Sequence, residues 1–309
     1  MTSPNEFAPP GSFKNRTVIV TGGAGSIGRP LCLAFASAGA NVVVNDLGGD
    51  ISGSGSSPSP ASSVVAEIKS AGGSAVADTH SVTDAHAILT TALEAFGRID
   101  IIVNNAGITR YGLLESQPPD AFTDVFAVNA AAPLALLHHA WPLFQAQSYG
   151  RVVNFASDSM FGMANSLPYV VSRGATFGAT RTLALEGGPH GILVNAVCPT
   201  SYSRMMEPMF KDMPSEHRAL TESRYRGEAN VPMILALAHE SCPVSGQVFS
   251  TGAYGMSRVM LGTTSAVSGC TTMGEVTRRL PELLEKGREY AEPMNVYEFA
   301  DFRARTSEK

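Results

Sequence analysis

Apolar residues along the chain gather into seven short runs separated by longer stretches of helical periodicity. Residues 17–20, 41–44, 75–77, 99–103, 151–155, 193–197 and 247–250 are short and mostly apolar, rich in β-branched side chains, the composition of strands. Between them, residues 29–39, 63–70, 85–96, 121–145 and 172–187 repeat their apolar positions every three to four residues, as amphipathic helices do. A strand that returns through a helix to the next strand builds a parallel sheet with helices on both faces. The first four runs lack polar alternation, which fits burial on both faces. The pattern predicts an α/β fold, a doubly wound seven-stranded parallel sheet. One domain is expected over residues 13–260, with a C-terminal extension over 261–309.

Two segments leave the pattern. Residues 52–63 are almost entirely Ser, Gly and Pro and read as a flexible surface loop with no assigned role. From Glu275 the chain is charged, with 275–290 helix-like and 303–309 a frayed, solvated end. Composition narrows the function. Charged residues are only 16% against 44% hydrophobic, so the chain folds around a core. The net charge of −5 comes with no basic run longer than two residues, which gives nucleic acid no footprint. Cys32, Cys198, Cys242 and Cys270 form no CxxC pair, arguing against a disulfide framework or zinc ribbon and for a reducing compartment. His239 and Cys242 alone do not make a metal site. Residues 1–16 lack the apolar core of a signal peptide, and no uninterrupted apolar run approaches the roughly 18 residues of a membrane helix. The last three residues do not make a Ser-Lys-Leu address. A cytoplasmic protein with no membrane partner, acting on a small molecule, is expected.

The candidate chemistry starts at the first strand. Val18-Ile19-Val20-Thr21-Gly22-Gly23-Ala24-Gly25-Ser26-Ile27-Gly28 runs from a strand through a glycine-rich turn into a helix. Such a turn lets backbone N–H groups approach a pyrophosphate, and the helix start adds partial positive charge. Gly22, Gly25, Ser26, Ile27 and Gly28 are therefore candidate cofactor residues. Asp46 ends the second strand 18 residues beyond Gly28, near the spacing of the carboxylate that bonds an adenosine ribose. It would repel a 2′-phosphate, and no Lys or Arg lies between Asp46 and Lys69, so NAD is expected rather than NADP.

With its TGxxxGxG-like turn at Thr21 to Gly28, Asn104-Asn105-Ala106-Gly107 and a Ser/Tyr/cation set, the chain resembles the short-chain dehydrogenase/reductase family, which implies a Rossmann-type fold. The likeness covers about residues 13–260. Val42-Val43-Val44-Asn45-Asp46-Leu47-Gly48-Gly49-Asp50, Ala95-Phe96-Gly97-Arg98-Ile99-Asp100 and His239-Glu240-Ser241-Cys242 are similar to the (3R)-hydroxyacyl-CoA dehydrogenase domains within that family. The resemblance implies an NAD-dependent oxidation of a secondary hydroxyl by a homodimer or homotetramer. It makes Tyr169 the acid/base group and Arg173, one helical turn on, its cation in place of the family's Lys. A phenol working near neutral pH needs roughly 4 kcal/mol of help to lose its proton. A unit charge about 4 Å away supplies that at an effective dielectric of about 20. Arginine provides the charge, but its wider fork gives up no proton and reaches a ribose less readily than lysine. An impaired proton relay is therefore expected.

Ser157 is implied as the hydroxyl that holds the substrate oxygen, although its spacing to Tyr169 is 12 residues, one shorter than usual; Ser159 is the other candidate. Asn129 matches the relay asparagine, with closure of a helix kink as its structural alternative. Asn105 resembles a residue lining the adenine ribose side, and Pro199 and Thr200 resemble the stretch beside the nicotinamide carboxamide. His80, followed by Ser81 and Val82, stands where related domains have the Asp that contacts adenine, and a weaker adenine contact is expected. Arg204, Arg218 and Arg224 lie in the variable stretch 202–230 and either meet a CoA ester or face water. Three functions stay open: a 3-hydroxyacyl-CoA dehydrogenase, an NAD-binding protein that has lost turnover, and a hydroxysteroid dehydrogenase. Subunit pairing is implied through the helices at 121–145 and 172–187.

Overall fold

The computed structural model describes residues 7–307. Its first half alternates strand and helix: β1 (Thr17–Thr21), α1 (Gly28–Ser37), β2 (Asn41–Asn45), α2 (Ser59–Ser70), β3 (Ser74–Asp78), α3 (Ala85–Phe96), β4 (Ile101–Asn104), α4 (Asp120–Phe126), α5 (Ala132–Gln147) and β5 (Gly150–Phe155). Then follow α6 (Leu167–Gly187), β6 (Ile192–Pro199), α7 (Glu207–Phe210), α8 (Ser215–Arg224), α9 (Val231–Ala238), β7 (Val248–Gly252) and β8 (Gly255–Val259). The sheet order is β3-β2-β1-β4-β5-β6-β7-β8, and the first seven strands pair in parallel.

Alternation of side chains across a strand explains the continuous apolar runs. Val18, Val20, Val42 and Val44 point to the face covered by Leu31, Phe35, Val64 and Ile68 of α1 and α2. Ile19 and Val43 point to the other, with Ile88, Leu136, Leu137 and Phe144 of α3 and α5. Both faces are dry, so both parities are apolar. The chain starts mid-sheet, steps outward to β3 and returns beside β1, so the connections diverge between β1 and β4. That switch point, at the carboxyl ends of the strands, is where such sheets open a ligand crevice.

Three elements of this region differ from expectation. The sheet has eight strands, not seven: Ala253 and Tyr254, with φ of 48° and 61°, turn the chain back into β8. The strand Gly-Met-Ser-Arg-Val is almost wholly exposed and shows no apolar periodicity. The long helix at 121–145 is interrupted, its winding loosening over Ala127–Ala131 before α5. Residues 52–58 form a tied-down loop, and the chain is helical from Ser59. Asp50 accepts hydrogen bonds from Ser52 N, Ser52 Oγ and Ser54 N, and the Ile51 carbonyl accepts from Thr109 N.

A second compact unit begins at Val259. It contains the antiparallel pair β9 (Thr263–Thr264) and β10 (Tyr290–Ala291) and the helices α10 (Met273–Arg279) and α11 (Val296–Ser307). Thr272 and Glu275 cap α10 reciprocally. The helix expected over 275–290 ends at Arg279 and tightens over Leu280–Leu284 around Pro281, and the end expected to fray is helical through Ser307. Glu308 and Lys309 lie outside the described residues.

Candidate active site

The turn after β1 is closed on itself. Gly22 has a φ of 63°, and a Cβ at Gly28 would run into the Gly22 carbonyl, so the helix starts hard against the turn. No side chain caps α1 and no carboxylate stands in its first turn, which leaves the helix start open for an anion. Asn105 rivets the end of β4 to this turn, its amide donating to the Thr21 and Gly22 carbonyls at 2.7 and 2.8 Å. Asp46 spans the turn as well: its Oδ2 accepts from Ala24 N at 2.9 Å and its Oδ1 from Gly48 N at 2.8 Å. A cradle a Cβ would fill, an uncapped helix start and a fixed carboxylate at the end of β2 fit a dinucleotide.

Beyond Asp46, toward the β3 edge, His80 holds its Nδ1 2.9 Å from Oδ2 of the buried Asp78. That contact raises the imidazole pKa above its ordinary value. Ser81 shares a hydrogen bond with Thr83, and Val82 is half-buried. Pro199 ends β6; Thr200 N donates to the Thr251 carbonyl, and the Thr200 carbonyl accepts from Asn230.

The remaining candidates gather at the carboxyl ends of β4 and β5. Ser157 follows β5 in extended backbone, and its Oγ accepts from Ser159 N at 3.2 Å, which leaves its own proton free to donate. The Ser159 hydroxyl is buried with no hydrogen-bond partner. Tyr169, half-buried, sits in the first turn of α6, and Arg173 one turn on is 4% exposed. The guanidinium carbon lies 5.0 Å from the Tyr169 ring centroid. Its Nη1 donates to the Phe155 carbonyl at 2.8 Å, and its other amino end fills the space where a Cβ at Gly107 would be. Its Nε has no partner. Asn129, in the loosened turn, accepts from Ile108 N at 2.8 Å and donates to the Ile108 carbonyl and Ser172 Oγ. Its side chain thus closes the kink as well as standing in the site. Pro133 has no N–H to give to the Asn129 carbonyl four residues back, and a loosened helical turn at a functional site is a recurrent device.

Sequence reasoning missed several contributors. Gly107 bounds the Arg173 pocket, and its place in the Asn-Asn-Ala-Gly run was the available signal. Gly227 packs so closely on the Ser26 carbonyl that a Cβ has no room, and nothing in the sequence marks it. Asp158 accepts from Ser250 Oγ at 2.9 Å; burial, with Asp158 beside it, pushes the Cys198 thiol up to about 12, so that thiol is inert. Arg218 is spent on the Phe210 and Lys211 carbonyls.

An open parallel sheet with a glycine-lined helix start at its switch point, and serine, tyrosine and a cation past the next strand, is the layout of an NAD(P)-type oxidoreductase. The chain belongs to the short chain dehydrogenase family, which its residues 16–214 match. It is 39% identical over 244 residues, 78% of its length, to the peroxisomal hydratase-dehydrogenase-epimerase of Saccharomyces cerevisiae. It is also 39% identical over 251 residues, 80% of its length, to the peroxisomal multifunctional enzyme type 2 of Mus musculus. The match takes in 26% of the yeast protein and 33% of the mouse protein, so the chain spans about a quarter to a third of those relatives. A short chain dehydrogenase from Mycobacterium avium superposes with a TM-score of 0.76 at 32% identity, covering 90% of this chain and 97% of that one.

Proposed function

We propose that the chain oxidises the secondary hydroxyl of a 3-hydroxyacyl-CoA, or a related CoA ester, to the ketone with NAD. The observation that carries this reading is the buried guanidinium of Arg173 against the ring of Tyr169, in a site that also presents Ser157. Bound NAD supplies the hydride acceptor. The turn at Gly22, Gly25, Ser26, Ile27 and Gly28 would hold its pyrophosphate and Asp46 its adenosine ribose. His80, Ser81 and Val82 would flank the adenine, and Asn105, Pro199 and Thr200 would line the rest. Ser157 donates to the substrate oxygen, and the burial of the Ser159 hydroxyl supports it over Ser159. The Tyr169 phenolate oxygen takes the hydroxyl proton, with the Arg173 cation beside its ring. The likeness to a hydratase-dehydrogenase-epimerase and to a multifunctional enzyme type 2 supports a dehydrogenase step.

A second reading rests on the guanidinium itself. Committed to the Phe155 carbonyl and wedged against Gly107, it is less free than an ammonium to serve a ribose or a proton relay, which favours a binding protein without turnover. NADH formation from (3R)-hydroxyacyl-CoA esters and hydroxysteroids, measured on the wild type, Tyr169→Phe and Arg173→Lys, decides. Turnover in the wild type with a loss of about 10²–10⁴ in Tyr169→Phe supports the dehydrogenase. Silence in the wild type with activity in Arg173→Lys supports the second reading. We also propose that two copies pair through α4, α5 and α6.

A further inference from the structure

Residues 203–213, which include α7, follow the carboxyl end of β6 and are held by few contacts, among them the stack of the Phe210 ring on Tyr202 at 5.9 Å. None of them is buried. Among the described residues, their hydrogen bonds stay within 203–218, such as Met206 N to the Ser203 carbonyl and Arg218 to the Phe210 carbonyl, with one exception. The Tyr111 hydroxyl donates to the Met205 carbonyl at 2.8 Å and lies 3.7 Å from the Met209 sulfur.

Tyr111 is well placed to act as a tether because its own backbone is fixed on both sides. Just before it, Thr109 N donates to the Ile51 carbonyl and the Arg110 guanidinium donates to the Ser52 carbonyl. Just after it, Gly112 N donates to the Asn165 carbonyl at 2.9 Å, and Gly112 bridges to Ser166, the residue that precedes α6. Tyr111 is thus anchored at the start of the helix that carries Tyr169, and its side chain reaches across to the opposite wall. Burial raises the Tyr111 phenol pKa, and the nearby Tyr169 adds to the rise, in keeping with two tyrosines at one mouth.

We infer that Tyr111 is a positioning residue: its hydroxyl holds residues 203–213 closed over the mouth beside Tyr169 and thereby governs substrate entry and product release. The tether is in the geometry; the effect on substrate rests on the dehydrogenase reading. A segment without buried residues opens at low cost, so the Tyr111 hydrogen bond and the Phe210–Tyr202 stack are what hold it.

The test is hydrogen exchange by mass spectrometry on the full chain, wild type against Tyr111→Phe, followed by steady-state kinetics. Loss of one hydrogen bond should speed exchange in peptides covering 203–213 about fivefold, with β1, β4 and β5 unchanged. With a (3R)-hydroxyacyl-CoA substrate, KM should rise about three- to tenfold while the pH profile of kcat stays that of the wild type. Unaltered exchange over 203–213 overturns the inference, as does acceleration spread equally over the chain, which marks general destabilisation. A shifted kcat–pH profile also overturns it, by making Tyr111 part of the chemistry. If the wild type turns over no substrate, the dehydrogenase reading fails by itself and the exchange result still decides whether Tyr111 holds the cover.

Discussion

At the scale of single residues, the neighbours of His80 determine how it behaves. The buried Asp78 carboxylate accepts from Asn45 Nδ2 at 2.7 Å and Thr91 Oγ1 at 2.6 Å and meets His80 Nδ1 at 2.9 Å. The histidine side chain is half exposed, and its pairing with Asp78 raises its pKa. A histidine with a folded pKa above its unfolded value of about 6.5 binds its proton more tightly when folded. Its contribution to stability is therefore complete below that unfolded value and is lost as the pH rises through the raised one. An NMR titration should place the His80 midpoint above about 6.5, and Asp78→Asn should bring it down; a wild-type midpoint at or below that value would mean the pair does not form. None of this pairing is visible in a linear reading, because Asn45 and Thr91 reach Asp78 from β2 and α3. Tyr111 escaped for the same reason, its acceptor lying 94 residues away.

At the scale of elements, the strand starts are locked by a cluster at the end of the sheet opposite the glycine turn. Asp100, just before β4, is fully buried. It accepts from Thr17 N at 2.9 Å, from Arg98 at 2.7 and 2.8 Å and from Arg16 at 3.1 Å, so it ties β1 to β4. Arg16 also lies over the Tyr149 ring, 3.9 Å from its centroid. Asp100→Ala leaves the Thr17 N–H without its acceptor and should cost about 2 kcal/mol in urea unfolding; the partly exposed arginines add little, because water solvates them. NAD affinity should not change, since the cluster is a full strand length from the turn. The elements themselves were largely legible. Seven apolar runs mark seven strands because burial on both faces makes the runs continuous. The eighth was hidden because an exposed edge strand needs no apolar side chain, and the loosened turn at Ala127–Ala131 because a break in winding leaves the apolar content of the helix intact. The loop after Asp50 looked structureless by composition, yet a single carboxylate organises its serine N–H groups.

At the scale of the whole molecule, the apolar face that the helices leave uncovered bears on assembly. The stretch Asp120–Gln147 is long and apolar enough, by length and composition, to cross a membrane. One side of it packs on the sheet through Leu136, Leu137 and Phe144. The other side leaves Phe126 and Leu134 exposed, and α6 adds Val171 and Leu185. Phe122, Phe126 and Ala131 form a shallow groove with Pro168 and Val171. A second copy would cover these positions on both subunits at once, as a twofold axis requires. Light scattering should then give a dimer for the wild type and a monomer for the double variant Leu134→Glu, Val171→Glu, whose circular dichroism should remain that of the folded chain. A monomeric wild type, or a dimer that survives both charges, would place the contact elsewhere or remove it. Asn129 lies between α4 and α5, and Tyr169 opens α6, so the same helices carry the site and the face. Separation of the subunits should therefore lower kcat as well as shift the mass, and a monomeric variant with wild-type kcat would show that the site is complete within one chain.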